Sequence, residues 1–63
     1  SSSGQLRVGD KVKVLQGIQY SGQPFTVYYS DYDVIEISGS RVVIGKGKVV
    51  TAAVNIRNLQ KLS

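Results

Sequence analysis

Apolar and polar residues alternate along much of this chain with a period of two, the spacing of a half-buried strand. From Lys11 to Leu15, Val12 and Val14 share one face while Lys11 and Lys13 share the other. Gly9-Asp10, just before this run, predicts its lead-in turn. Residues 16–25 carry Gly17, Ser21, Gly22 and Pro24 with little periodicity, which predicts a long loop, and Thr26 to Tyr29 reads as short and extended. Tyr32 to Ser38 alternates again, with Ile35 and Ile37 set against Val34 and Glu36. Ser38-Gly39-Ser40 predicts a hairpin turn into the apolar run Arg41-Val42-Val43-Ile44, and Gly45-Lys46-Gly47-Lys48 predicts a second tight turn. In Val49 to Val54, the residues Val50, Ala52 and Val54 lie on one side and Val49, Thr51 and Ala53 on the other. Asn55 to Leu59 is too short for an α-helix and suits one 3₁₀ turn, followed by a last strand from Gln60 to Leu62.

Five short strands, two tight hairpins, one long early loop and a late 3₁₀ turn predict an all-β chain, a small five-stranded antiparallel barrel of the SH3-like kind. Composition agrees. Ten valines, five isoleucines and two threonines outweigh the helix formers, since only two alanines, four leucines and one glutamate occur. β-Branched side chains fit a pleated surface and lose rotamer freedom in a helix. The alternation places Val12, Val14, Ile35, Ile37, Val42, Ile44, Val50, Ala52, Val54 and Leu59 in the core. With 63 residues the chain has room for one domain, expected over residues 6–63. The opening Ser1-Ser2-Ser3-Gly4-Gln5 reads as linker, with no signal-peptide pattern and no apolar run long enough to span a membrane.

The residue types that are missing exclude most chemistry. Without cysteine there is no disulfide, thiolate nucleophile or sulfur-based zinc site, and without histidine the usual neutral-pH base and metal ligand are gone. The near-matches to ligand motifs fail as well. Five residues separate Gly39 from Gly45-Lys46, where a P-loop has four, and Gly47 stands where its Ser or Thr should be. Gly45-Lys46-Gly47 starts a dinucleotide fingerprint that lacks its third glycine and sits between strands. Asp31-Tyr32-Asp33 could begin a calcium loop, but Ile35 replaces the next oxygen ligand. A non-catalytic binding module without metal or cofactor is the expectation.

All five aromatic residues, Tyr20, Phe25, Tyr28, Tyr29 and Tyr32, fall in or just after the long loop. Tyrosine offers a rigid face and a hydroxyl at low entropic cost, and loops on a rigid scaffold commonly carry binding. The bland alternative is that these rings cap the barrel and fill its core. We take them as stacking candidates, with Asp31 and Arg41 as weaker candidates for hydrogen bonds to a ligand. Eight basic residues against four acidic ones give a net charge of +4, enough to attract a polyanion and equally compatible with an ordinary solubilising surface.

The stretch Ser38-Gly39-Ser40-Arg41-Val42-Val43-Ile44-Gly45, then Val50-Thr51-Ala52-Ala53-Val54-Asn55 and Asn58-Leu59, resembles the C-terminal SH3-like cell-wall-binding domain of clostridial-type phage endolysins and bacterial N-acetylmuramoyl-L-alanine amidases. Val8-Gly9-Asp10-Lys11-Val12-Lys13-Val14 is similar to the way those domains begin, so the resemblance covers nearly all of residues 6–62. It is most specific in the second half and weakest between residues 18 and 32. The resemblance implies a module that tethers a cell-wall hydrolase to Gram-positive peptidoglycan or an associated wall polymer, outside the cell, with catalysis in a covalently linked domain. Eukaryotic SH3 domains grip polyproline with an aromatic pair and a tryptophan; this chain has no tryptophan, and polyproline is not expected.

A second class of function competes. Gly9-Asp10-Lys11-Val12-Lys13-Val14-Leu15-Gln16-Gly17 resembles the glycine-bounded KOW motif of ribosomal and elongation proteins, and the net charge suits nucleic acid. The remaining basic residues are dispersed, and the second half of the chain fits the wall-binding family better. Nucleic acid is therefore the lesser expectation.

Overall fold

A computed structural model describes residues 6–62; the linker expected over residues 1–5 lies outside them, as does Ser63. The strands are β1 (Lys11–Val14), β2 (Tyr32–Ser38), β3 (Arg41–Lys46), β4 (Val49–Asn55) and β5 (Leu59–Lys61). A 3₁₀ turn, Ile56–Asn58, separates the last two. All pairings are antiparallel, in the order β4-β3-β2-β1-β5. The all-β class, the strand count and the late 3₁₀ turn agree with the sequence reading. Thr26 to Tyr29 forms no strand.

Two hairpins organise the sheet. In the first turn only Gly39 takes a positive φ (59°), whereas in the second Gly47 and Lys48 both do, at 63° and 71°. The second pattern is that of a type I′ turn, whose twist matches that of the flanking strands. Asn55 caps the 3₁₀ turn through its side-chain oxygen, which accepts the Arg57 N–H at 2.9 Å.

β4 and β5 are the sheet edges, and no ladder joins them among the described residues, so the expected barrel is open at this seam. Both edges still reach one core, because Val54 of β4 and Leu59 of β5 pack with Leu6, Val12, Tyr32, Val34, Val42 and Ile44. Single hydrogen bonds hold the long loop to β4 and extend the β1–β5 and β3–β4 pairings past their ends. Tyr20 N–H donates to the Ala53 carbonyl at 2.7 Å, Leu15 N–H to that of Asn58 at 2.8 Å, and Ile56 N–H to that of Ser40 at 2.8 Å.

Two of the expected core positions are corrected, and one cause serves both. The β2–β3 register passes from Val34↔Ile44 to Glu36↔Val43, so Ile35 is an extra residue in β2. Tyr32 and Val34 face the core before this bulge and Ile37 packs on it afterwards, while Ile35 is only half-buried. The β3–β4 register passes likewise from Ile44↔Ala52 to Gly45↔Val50, which makes Thr51 the extra residue of β4. Val50 is thereby turned outward and is 59% exposed, whereas Ala52 and Val54 stay buried. A bulge inserts one residue and bends its strand, so strict alternation read through it assigns the wrong face.

Gly45, the β3 residue just past the β4 bulge, is buried. A Cβ there would collide with the Val49 carbonyl and lie 2.6 Å from Ile35 Cδ1. Glycine is the residue that permits so close an approach of backbone and side chain.

Candidate functional site

The long loop turns back on itself through an isolated bridge between Ile18 and Pro24. Gln19 N–H donates to the Gln23 carbonyl at 2.7 Å, Gly22 N–H to that of Gln19 at 2.9 Å, and Phe25 N–H to that of Gly17 at 2.9 Å. Gly22, at φ 104°, occupies a backbone region that other residues rarely adopt. Held in this way, the loop leans on β4 through Tyr20 and faces the 3₁₀ turn. Between them lies an open groove of about 480 Å³, lined by Ile18, Gln19, Tyr20, Gly22, Asn55, Arg57 and Asn58. Its lining combines one exposed aromatic residue, three side-chain amides and one guanidinium.

Of the residues singled out in the sequence, Tyr20 alone lines this groove. Arg41 is exposed and stands opposite Asn55 in the β3–β4 ladder, which puts both on the same sheet face. Side chains so paired start with Cβ atoms about 5 Å apart, so Arg41 neighbours the lining residue Asn55. Phe25 is half-buried and packs against the core.

The other three tyrosines and Asp31 form a second cluster, and its chemistry is largely structural. Tyr32, expected to offer a ring face to a ligand, is fully buried in the core. Its hydroxyl oxygen accepts the backbone N–H groups of Tyr28 and Tyr29, at 3.1 and 3.3 Å. Tyr29 meets the Tyr32 ring edge-on at 5.6 Å between centroids, and Lys46 Nζ lies 5.4 Å from the Tyr29 ring centre. Both Tyr28 and Tyr29 are exposed, Tyr28 the more so at 78%.

Asp31, offered above as a ligand hydrogen-bonder, is held between two ammonium groups. Lys46 Nζ is 3.4 Å and Lys11 Nζ 3.9 Å from its carboxylate. Lys11 also donates to Asp33 at 2.9 Å, and that hydrogen bond, with the Asp33 charge, raises the Lys11 pKa above its ordinary 10.5. Asp10 accepts the Arg7 N–H at 3.0 Å and lies 3.8 Å from Lys61. Three of the four carboxylates thus neutralise lysines, and the positive charge available to a partner narrows to Arg7, Lys13, Arg41, Lys48 and Arg57 among the described residues.

Gln19, Asn55, Arg57 and Asn58 were not singled out as site residues. The sequence does mark the loop that carries Gln19 and the 3₁₀ turn that carries the others. That the two face each other is a tertiary fact, fixed by the Tyr20–Ala53 and Leu15–Asn58 hydrogen bonds between distant segments. No group of three or more Asp, Glu, His or Cys able to hold a metal occurs among the described residues, and no helix there is long and apolar enough to cross a membrane. Compared with known proteins, the chain matches no family model, no curated protein and no solved structure.

Proposed function

We propose that this chain is a non-catalytic binding module for Gram-positive cell-wall peptidoglycan or an associated wall polymer, acting outside the cell and tethering a wall hydrolase whose catalytic domain is covalently linked to it. The groove between the long loop and the 3₁₀ turn is the observation that carries this reading. A chain molecule laid along an open groove gains contact through sugar C–H faces and peptide methyls against the Tyr20 ring. Side-chain amides at Gln19, Asn55 and Asn58 match hydroxyl and acetamido groups and fix orientation. The resemblance of the second half of the chain to wall-binding domains supports the same partner. Carboxylates beside Lys11, Lys46 and Lys61 weaken the phosphate contacts that nucleic acid binding needs.

The test is a pull-down of the purified chain with Gram-positive walls and, separately, with total RNA. Wall binding without release of soluble sugar or peptide is expected. Tyr20→Ala should weaken it by about 2 kcal/mol, the usual effect of truncating a dominant aromatic anchor. Tyr28→Ala should bind like the parent. Equal capture of RNA, or wall fragments released by the chain alone, overturns the proposal.

A further inference from the structure

Every polar side chain of the groove can donate a hydrogen bond, and no carboxylate lines it. The Asn55 side-chain oxygen is already taken by the Arg57 N–H, so toward a ligand this amide has only its NH₂ group to offer. Arg57 brings a guanidinium, which donates and cannot accept. Backbone N–H groups of the loop are spent internally: Ile18 on the Gln16 carbonyl, Gln19 on that of Gln23, Tyr20 on that of Ala53 and Gly22 on that of Gln19. Recognition in this groove therefore falls to side chains, and the committed ones are donors.

Charge placement points the same way. Asp10, Asp31 and Asp33 are occupied by lysines, and Glu36 lies on β2 opposite Val43 rather than in the groove lining. Among the described residues no carboxylate comes within 4.0 Å of Arg57 or of Arg41. Of the five cations without a carboxylate partner among the described residues, Arg57 lines the groove with Tyr20 and Arg41 stands opposite the lining residue Asn55.

We infer that the groove binds an anionic repeat unit, one that carries a carboxylate or a phosphate group, with Arg57 and Arg41 as its charge partners and Tyr20 as the surface on which the adjoining sugar or peptide rests. The inference builds on the wall-polymer reading and narrows it to acidic components of the wall. Guanidinium forks suit both carboxylate and phosphate oxygens, since two parallel N–H donors meet two acceptors in one plane. A neutral glycan or uncharged peptide would leave the two cations without a counter-charge.

The experiment uses the whole chain and four wall preparations: untreated, stripped of phosphate polymers by hydrofluoric acid, amidated at carboxyl groups with carbodiimide and ethanolamine, and treated both ways. Binding of the parent should fall about tenfold or more with one of the single treatments, and that treatment identifies the source of the anion. Arg57→Gln and Arg41→Gln, each checked for an unchanged melting temperature, should lose affinity on untreated walls and respond little to either treatment. Lys13→Gln and Lys48→Gln remove the same charge elsewhere and should stay within about twofold of the parent. Full binding to doubly treated walls overturns the inference while leaving the wall-polymer reading intact. Lysine variants that lose as much as Arg57→Gln, or arginine variants that bind and respond like the parent, overturn it too. If untreated walls are not bound at all, the wall reading fails and the inference fails with it.

Discussion

The buried hydroxyl of Tyr32 accepts the backbone N–H of Tyr28 at 3.1 Å, tying the segment after the long loop to the core. The same oxygen takes the Tyr29 N–H at 3.3 Å, so one phenol anchors two successive peptide groups. Tyr32→Phe keeps the ring and removes both acceptor contacts. It should cost about 1–2 kcal/mol, the range for hydrogen bonds lost from partly buried groups. Amide exchange at Tyr28 and Tyr29 should accelerate more than exchange in β3, whereas unchanged protection at both amides would count against this anchoring role.

Ala52 and Val50 have the same parity in sequence and opposite fates in the fold. Ala52 is buried opposite Ile44, so Ala52→Leu should cost about 1–3 kcal/mol by overpacking. Val50→Thr, on an outward-facing position, should stay within about 0.5 kcal/mol of the parent. Urea denaturation of both variants separates the two cases, and equal losses would contradict the bulge at Thr51.

Lys48 holds φ at 71° in a two-residue turn where glycine or asparagine is the usual occupant. A side chain in this left-handed region costs about 1–2 kcal/mol, partly offset by the greater unfolded-state freedom of glycine. Lys48→Gly should therefore stabilise the chain by about 0.5–1 kcal/mol, which for a domain of this size raises Tm by a few degrees, roughly 4–8 °C per kcal/mol. A lower Tm would mean that the Lys48 side chain makes a compensating contact.

The Lys11–Asp33 pair gives a pH dependence of defined sign. Asp33 raises the Lys11 pKa above 10.5, so the folded state binds that proton more tightly than the unfolded state does. Its contribution is fully present below pH 10.5 and is lost as the pH rises through the raised folded value. Because Lys11 is well exposed, the effect should be small and should fade with added salt. Lys11→Met should melt below the parent near neutral pH, with the difference shrinking only in strongly alkaline buffer. A difference that grows with pH would exclude this linkage.

Strand positions were legible because alternation and glycine turns are local signals, and β2 runs over the very residues the pattern marks, Tyr32–Ser38. The face of Ile35 and Val50 was not legible, because a bulge depends on the neighbouring strand and leaves no reliable mark in its own strand. The aromatic cluster shows a related limit. Composition draws Tyr20, Phe25, Tyr28, Tyr29 and Tyr32 together as one surface. Folding gives them different employment: Tyr32 inside, Phe25 half inside, Tyr29 against Lys46, Tyr28 in solvent and Tyr20 at the groove. Arg57 carries no motif of its own, and only the docking of the loop beside the 3₁₀ turn makes it part of a site.

The extra residue at Ile35 works as a phase shifter in the β2–β3 hairpin. Val34 pairs with Ile44 and Ile37 with Val42, so three steps along one strand are matched by two along the other. The bulge absorbs Ile35, so that Val34 and Ile37 share the inner face although their sequence parity differs. Taking Ile35 out would leave Val34, Glu36 and Ile37 in unbroken alternation opposite Ile44, Val43 and Val42, so each would keep the face it has now. The division into inside and outside therefore does not need the bulge residue, and a chain built on the same plan can dispense with it at the cost of the local bend in β2.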